Sequence, residues 1–233
     1  MELTPELSTI SVLLIGFVLG LQHAVEADHL AAVSTIVSEK KSLWSASIVG
    51  GLWGLGHTIS LFVVGAVVIF LKLQISETVE ARLEAIVGGM LILLGLNALR
   101  KLVTAKEVHL HTHEHGEHEH VHIHTHGGEP EGSHHRFSPR SVLIGMVHGL
   151  AGSAALMLLV VPTISSPTVA LLYIAIFGIG SIGGMMAMSF FIGLPLYFTA
   201  GRFNFLNMGI RLCAGVFSLG LGMFIVYEKL FQA

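Results

Sequence analysis

His23, Glu26, Asp28 and His29 fall within seven residues of a run that is otherwise apolar from about 10 to 37. Imidazole nitrogen and carboxylate oxygen together make a ligand set for a first-row divalent cation. The imidazole supplies affinity and the carboxylate supplies neutralising charge. An Asp at the centre of a membrane helix costs roughly 2.5–3.5 kcal/mol on insertion scales, so such groups persist only where they face protein or a wet cavity and have partners. Asp28 is the only Asp in the chain. At about 100° per residue, His23, Glu26 and His29 share one broad helix face, whereas Asp28 lies about 140° from His23. A regular helix cannot aim all four at one ion. Either Asp28 serves a histidine on a neighbouring helix, holding its second N–H, or the helix is distorted here. His57, in Gly54-Leu55-Gly56-His57-Thr58, and His148, in Gly145-x-x-His148-Gly149, stand in other apolar runs. The candidate metal ligands are therefore His23, Asp28, His29 and His57, with Glu26 and His148 beside them.

The elements that must position these groups are membrane helices. With 53% hydrophobic residues, 12% charged and a mean hydropathy of +0.78, the composition is that of an integral membrane protein. Six segments, about 10–37, 45–72, 83–103, 139–162, 168–192 and 206–228, reach the length a bilayer requires. The fifth is expected to end or kink at Gly193-Leu194-Pro195, since proline removes a helix hydrogen bond. The fold class expected is an all-α integral membrane protein: a three-helix half at 1–103, a His-rich disordered linker at 104–138 and a second three-helix half at 139–233.

Gly20-x-x-His23-Ala24 matches Gly145-x-x-His148-Gly149 at an offset of 125. Residues 87–90 and 213–216 align at nearly the same offset. Two copies of a three-span unit must run in opposite senses, and inverted repeats with a midplane site mark secondary transporters. Pairs such as Gly16/Gly20, Gly50/Gly54, Gly145/Gly149 and Gly180/Gly184 would let helices approach closely. Nine Lys and Arg on the linker's side against three on the other put the linker in the cytoplasm and both termini outside.

The remaining features exclude more than they assign. A net charge of -3 with no basic, aromatic-laced patch gives no nucleic-acid footprint. One cysteine, Cys213, excludes an internal disulfide. No phosphate-binding Gly-x4-Gly-Lys-Ser/Thr loop is present, so the chain does not itself hydrolyse ATP. The acidic start lacks the basic leader of a signal peptide, and the first span is expected to be retained. Eleven of the fifteen histidines lie at 109–135, alternating with Glu, Thr and Gly. That pattern predicts no core and no fixed structure when empty. Such a tract suits a metal buffer, a sensor of internal metal or an inert insert.

His23-x4-Asp28-His29, followed on the next span by Leu55-Gly56-His57-Thr58, resembles the nickel/cobalt transporter family and most closely its six-span urease-accessory-type permeases. The run His148-Gly149-Leu150-Ala151-Gly152-Ser153 is similar to theirs as well. Gln22 and Glu26 stand where larger members usually carry Arg and Asp, and no Leu-Gly-x-Asp-Thr-Ala-Thr-Glu motif is present. The resemblance implies that His23, Asp28, His29 and His57 bind or transfer a metal. It implies transport of Ni2+ or Co2+ into the cytoplasm across the plasma membrane, and no enzyme activity. No tightly bound cofactor is expected. Partners would be divalent metal ions, the lipid bilayer, and intracellular nickel chaperones or urease maturation proteins. Related exporters keep efflux open as an alternative. An intramembrane zinc hydrolase, with Ser153 as its best nucleophile, and a metallochaperone anchor are the alternatives of other classes.

Overall fold

The structure is a computed structural model. It describes residues 9–104 apart from 39, 41 and 74, the backbone of 109–115 and 118–124, and 139–232 apart from 152–163, 165 and 201–202. Seven helices are described: α1 Thr9–His23, α2 Ala27–Val37, α3 Leu43–Leu71, α4 Glu77–Thr104, α5 Pro139–Ala151, α6 Pro167–Thr199 and α7 Asn204–Phe231. Of these, α3, α4, α6 and α7 are each long and apolar enough to cross a membrane, and α1 with α2 is a pair bent by 55° that passes the same test as a broken span or a re-entrant loop. The second half of the expected fourth span, with Ser153, lies outside the described residues.

The helices associate through small residues. Helix α4 pairs with α7, α3 with both α6 and α5, and α1 with α6, while α2 rests against α6 and α7. A Cβ on Gly20 would overlap the Phe177 carbonyl, and one on Gly145 the Trp53 carbonyl. Backbones this close gain dispersion contacts and leave no room for lipid between helices. Hydroxyls add hydrogen bonds across the seams. Ser60 Oγ donates to the Met146 carbonyl at 2.8 Å, and Ser218 Oγ to the Leu91 carbonyl at 2.9 Å. Large apolar side chains such as Leu14, Phe70, Leu93 and Phe224 stand exposed on the outer faces, as befits surfaces in contact with acyl chains.

Two expectations require correction. First, α6 does not end near Pro195 but continues to Thr199. Its tail is held by side chains: Thr199 Oγ1 donates to the Pro195 carbonyl at 2.7 Å. From α7, Asn207 Nδ2 donates to the Leu196 carbonyl at 2.9 Å. These bonds serve carbonyls in the last turn of the helix, whereas the carbonyl that Pro195 leaves without a helical N–H is that of Phe191, four residues earlier. Second, the linker is not wholly without regular structure. Strands β1 His109–His115 and β2 His118–His124 form an antiparallel pair in which His109, His111, His113 and His115 stand opposite His124, His122, His120 and His118. Histidine at every second position has the period of a strand, which outweighs the lack of a core pattern. His126, His134 and His135 lie outside the described residues.

Candidate metal centre

The break between α1 and α2 creates the centre. Helical bonding stops at His23, and the turn is carried by the Val25 N–H on the Gln22 carbonyl and the Glu26 N–H on the His23 carbonyl, at 3.0 and 3.1 Å. Glu26, extended at φ -64° and ψ 151°, starts α2 without capping it through its side chain. Its carboxylate turns back instead and accepts from His23 Nδ1 at 2.8 Å. Asp28 falls in the first turn of α2, where a negative charge complements the helix dipole. Of the two arrangements left open by the sequence, the distortion occurs, and Asp28 approaches a histidine on another helix without holding its N–H.

Four imidazoles, all fully enclosed, gather beside this break. His23 comes from the end of α1, His29 from α2, His57 from the middle of α3 and His148 from α5. Nε2 of His23 lies 3.3 Å from Nε2 of His57. Asp28 Oδ1 accepts from both the backbone N–H and Nδ1 of His29, at 2.8 and 2.9 Å. Its other oxygen, Oδ2, stands 3.2 Å from His148 Nε2, close but not aligned as a hydrogen bond. His29 is central, its ring centroid 4.3 Å from that of His23 and 4.2 Å from that of His148.

Buried polar atoms normally have partners. Here His29 Nε2, His57 Nδ1 and both ring nitrogens of His148 have no hydrogen bond. Two groups of donor atoms are tight enough to hold an ion: His23, His29 and His57, and Asp28, His29 and His148. Five of the six residues singled out in the sequence thus converge as candidate ligands. Glu26 differs in position. It belongs to neither group, its side chain is 46% exposed, and it reaches the centre only through His23.

Sequence reading missed Trp53. Its ring packs 5.1 Å from His29 and 5.2 Å from His148, centroid to centroid. A second aromatic ring, that of Phe177, lies 5.5 Å from His23. The signal was available, because Trp53 precedes His57 by four residues and so shares its helix face.

A bundle of apolar helices around buried imidazoles and one carboxylate defines a multi-pass membrane protein with grouped donor atoms that could hold a metal ion. Residues 9–232 match the family described as NicO, high-affinity nickel-transport protein. The chain belongs to that family, whose described activity is transport and not catalysis. It is 37% identical over 228 residues to the urease accessory protein UreH of Bacillus sp., covering 96% of this chain and 93% of that one. It is 38% identical over 73 residues to the high-affinity nickel transport protein of Cupriavidus necator, covering 31% of this chain and 20% of that one. Chloroplast protein FOR GROWTH AND FERTILITY 1 of Arabidopsis thaliana is 24% identical over 218 residues, covering 93% of this chain and 59% of that one. No solved structure matches the chain.

Proposed function

We propose that the chain carries Ni2+ or Co2+ into the cytoplasm through the centre built on His23, Asp28, His29, His57 and His148. The observation that carries this reading is the set of enclosed imidazole nitrogens without hydrogen-bond partners. Such atoms are costly in a bilayer, and a passing dication would repay that cost by exchanging water for nitrogen and carboxylate ligands. The ion is cargo and does not stay. An ion about 2.1 Å from each Nε2 of His23 and His57 would see them at roughly 100°, an angle compatible with tetrahedral or octahedral coordination.

No coupling is needed for uptake. Each elementary charge crossing 100 mV gains about 2.3 kcal/mol, so a dication gains roughly 4.6 kcal/mol on entering a negative interior. Both termini outside and the His-rich linker in the cytoplasm would place that linker where incoming metal emerges. The relative named as a urease accessory protein supports nickel chaperones and urease maturation proteins as recipients.

Six spans in two inverted halves are the architecture we assign, and the glycine contacts support it. A Cβ on Gly20 meets Phe177 and one on Gly145 meets Trp53; Gly180 meets Phe17 and Gly56 meets Val142; Gly54 meets Ile182 and Gly178 meets Thr58. In each pair of contacts, both partners are shifted by 124 or 125 residues between the halves. The same shift carries α1·α6 into α5·α3. His57 then corresponds to Ser181, which is fully buried with an unpartnered Oγ.

The deciding experiment is uptake of radioactive nickel into proteoliposomes of the purified chain, with an inside-negative potential applied. Uptake is expected in the wild type and lost in Asp28→Asn and His29→Ala. Wild-type uptake by either variant would remove the site assignment, and movement only in the outward sense would replace uptake with efflux. A chain lacking residues 109–135 should still transport; if it did not, the linker would be the active part and the membrane helices its anchor.

A further inference from the structure

The centre has not one set of donors but two, and they meet in a single ring. Resting on the reading above, we infer that the ion occupies two successive positions, the first held by His23, His29 and His57 and the second by Asp28, His29 and His148, with His29 handing it across. The two donor groups have His29 in common and nothing else.

The two nitrogens of that ring are differently placed. Nδ1 faces the Asp28 carboxylate at 2.9 Å, and Nε2 is enclosed without a partner. Nδ1–H therefore donates to Asp28 when the centre is empty, and the free lone pair is on Nε2. That leaves Nε2 for the pair formed by His23 and His57, whose own Nε2 atoms are 3.3 Å apart. On the other side, Asp28 Oδ2 and His148 Nε2, 3.2 Å apart, wait beside Nδ1.

A neutral imidazole offers one lone pair at a time. Binding at the second position requires Nδ1 to give up its proton while Nε2 takes one up, so the net proton count is unchanged. The two positions consequently exclude each other. A second ion cannot follow until the first has left His29, and an ion at either position is never held by the full set of five ligands. Moderate holding at each of two positions suits release better than one deep site would.

The test uses the full-length chain in detergent and Co2+ as the probe, read by its visible absorption. A chain with His23, His29, His57 and His148 all changed to Ala supplies the linker's own contribution, and circular dichroism verifies the helix content of every variant. His148→Ala should leave only the first position and His57→Ala only the second. His23→Ala is then added to each. In the His148→Ala background it is expected to weaken Co2+ binding tenfold or more, on the order of a lost ligand or its support. In the His57→Ala background, where His23 no longer belongs to the occupied position, it should change binding by no more than about twofold, as independent sites do. Replacement by Gln in place of Ala repeats the comparison if any Ala variant loses helix content. Equal losses in both backgrounds would mean one shared site and would overturn the two-position inference alone. Wild-type binding no stronger than that of the fourfold variant would overturn the intramembrane site itself.

Discussion

Nε2 of His23 and Nε2 of His57 face each other at 3.3 Å although the residues are 34 apart in the chain. Between two identical atoms only one can hold the proton. His23 already donates through Nδ1 to the Glu26 carboxylate, so in its neutral form its Nε2 is the acceptor and His57 is the donor. His57 Nδ1 is then left with a lone pair and, consistently, has no partner. With these directions the centre is a chain of hydrogen bonds that begins at one half-exposed carboxylate, and an ion entering between the two rings must displace the shared proton.

It follows that Glu26 fixes which nitrogen His23 presents. Glu26→Ala should raise the KM for Ni2+ uptake by about 10–100-fold, the usual cost of removing the group that orients a ligating histidine. Glu26→Gln should cost less, because an amide oxygen still accepts from Nδ1–H. His23→Ala should cost more than either, since the ligand itself is gone. Proteoliposome uptake against Ni2+ concentration gives all three values. A wild-type KM in Glu26→Ala would remove the orienting role.

The glycine seams give a prediction with its own controls. Added methyls at Gly20 and Gly145 would meet the carbonyls of Phe177 and Trp53, which are backbone and cannot swing aside. Gly20→Ala and Gly145→Ala should each destabilise by about 1–3 kcal/mol through overpacking. Because these seams also set the positions of His23 and His148, uptake should fall as well. Gly89→Ala and Gly209→Ala, where a Cβ meets nothing within 4 Å, should leave both unchanged. Thermal unfolding in detergent measures the difference, and comparable midpoints for the two groups would contradict the packing.

The donors and the broad membrane character were legible because they depend on residue type and on period. Asp28 is the only Asp in the chain and stands with Glu26 in an apolar run, and no packing detail is needed to see its cost. The break after His23 was legible only as a contradiction: the spacing could not bring Asp28 and His23 to one ion on a regular helix. Nothing in Ala24-Val25-Glu26, which lacks Gly and Pro, marks a helix end. The turn is held from outside, by Glu26 reaching back to His23 and by His23 and His29 meeting rings from α3 and α5. Pro195 was expected to end or kink its helix, which instead runs on to Thr199, where the last carbonyls accept from Thr199 within the turn and from Asn207 across a helix boundary. Local rules see neither.

That helix end is itself testable. Asn207 Nδ2 donates to the Leu196 carbonyl at 2.9 Å and to Thr199 Oγ1 at 3.0 Å, tying α7 to the tail of α6. Asn207→Leu should destabilise by about 0.5–1.5 kcal/mol, because one hydrogen bond between the helices is lost while the Leu196 carbonyl keeps the Ala200 N–H. Thr199→Val should cost less on its own. The double variant should fall short of the sum, since the two side chains share one bond. Unfolding midpoints of the three variants decide it, and strict additivity would show that the pair does not act together.

Trp53 offers a direct view of the centre being filled. The chain has two tryptophans: Trp44 is 66% exposed and Trp53 is 1% exposed, against His29 and His148. Trp44→Phe therefore leaves one emitter, in contact with two of the proposed ligands. Ni2+ and Co2+ have partly filled d shells and quench an indole at such distances, whereas Zn2+, with a filled shell, does not. Titrating Ni2+ into the Trp44→Phe protein should quench Trp53 with a saturable curve. Zn2+ should bind in competition and restore emission without quenching. Adding His29→Ala should abolish the saturable component while leaving the emission of the metal-free protein in place. Quenching that persists undiminished in the His29→Ala protein would have its source in the histidines of the linker, and the buried rings would not be where the ion binds.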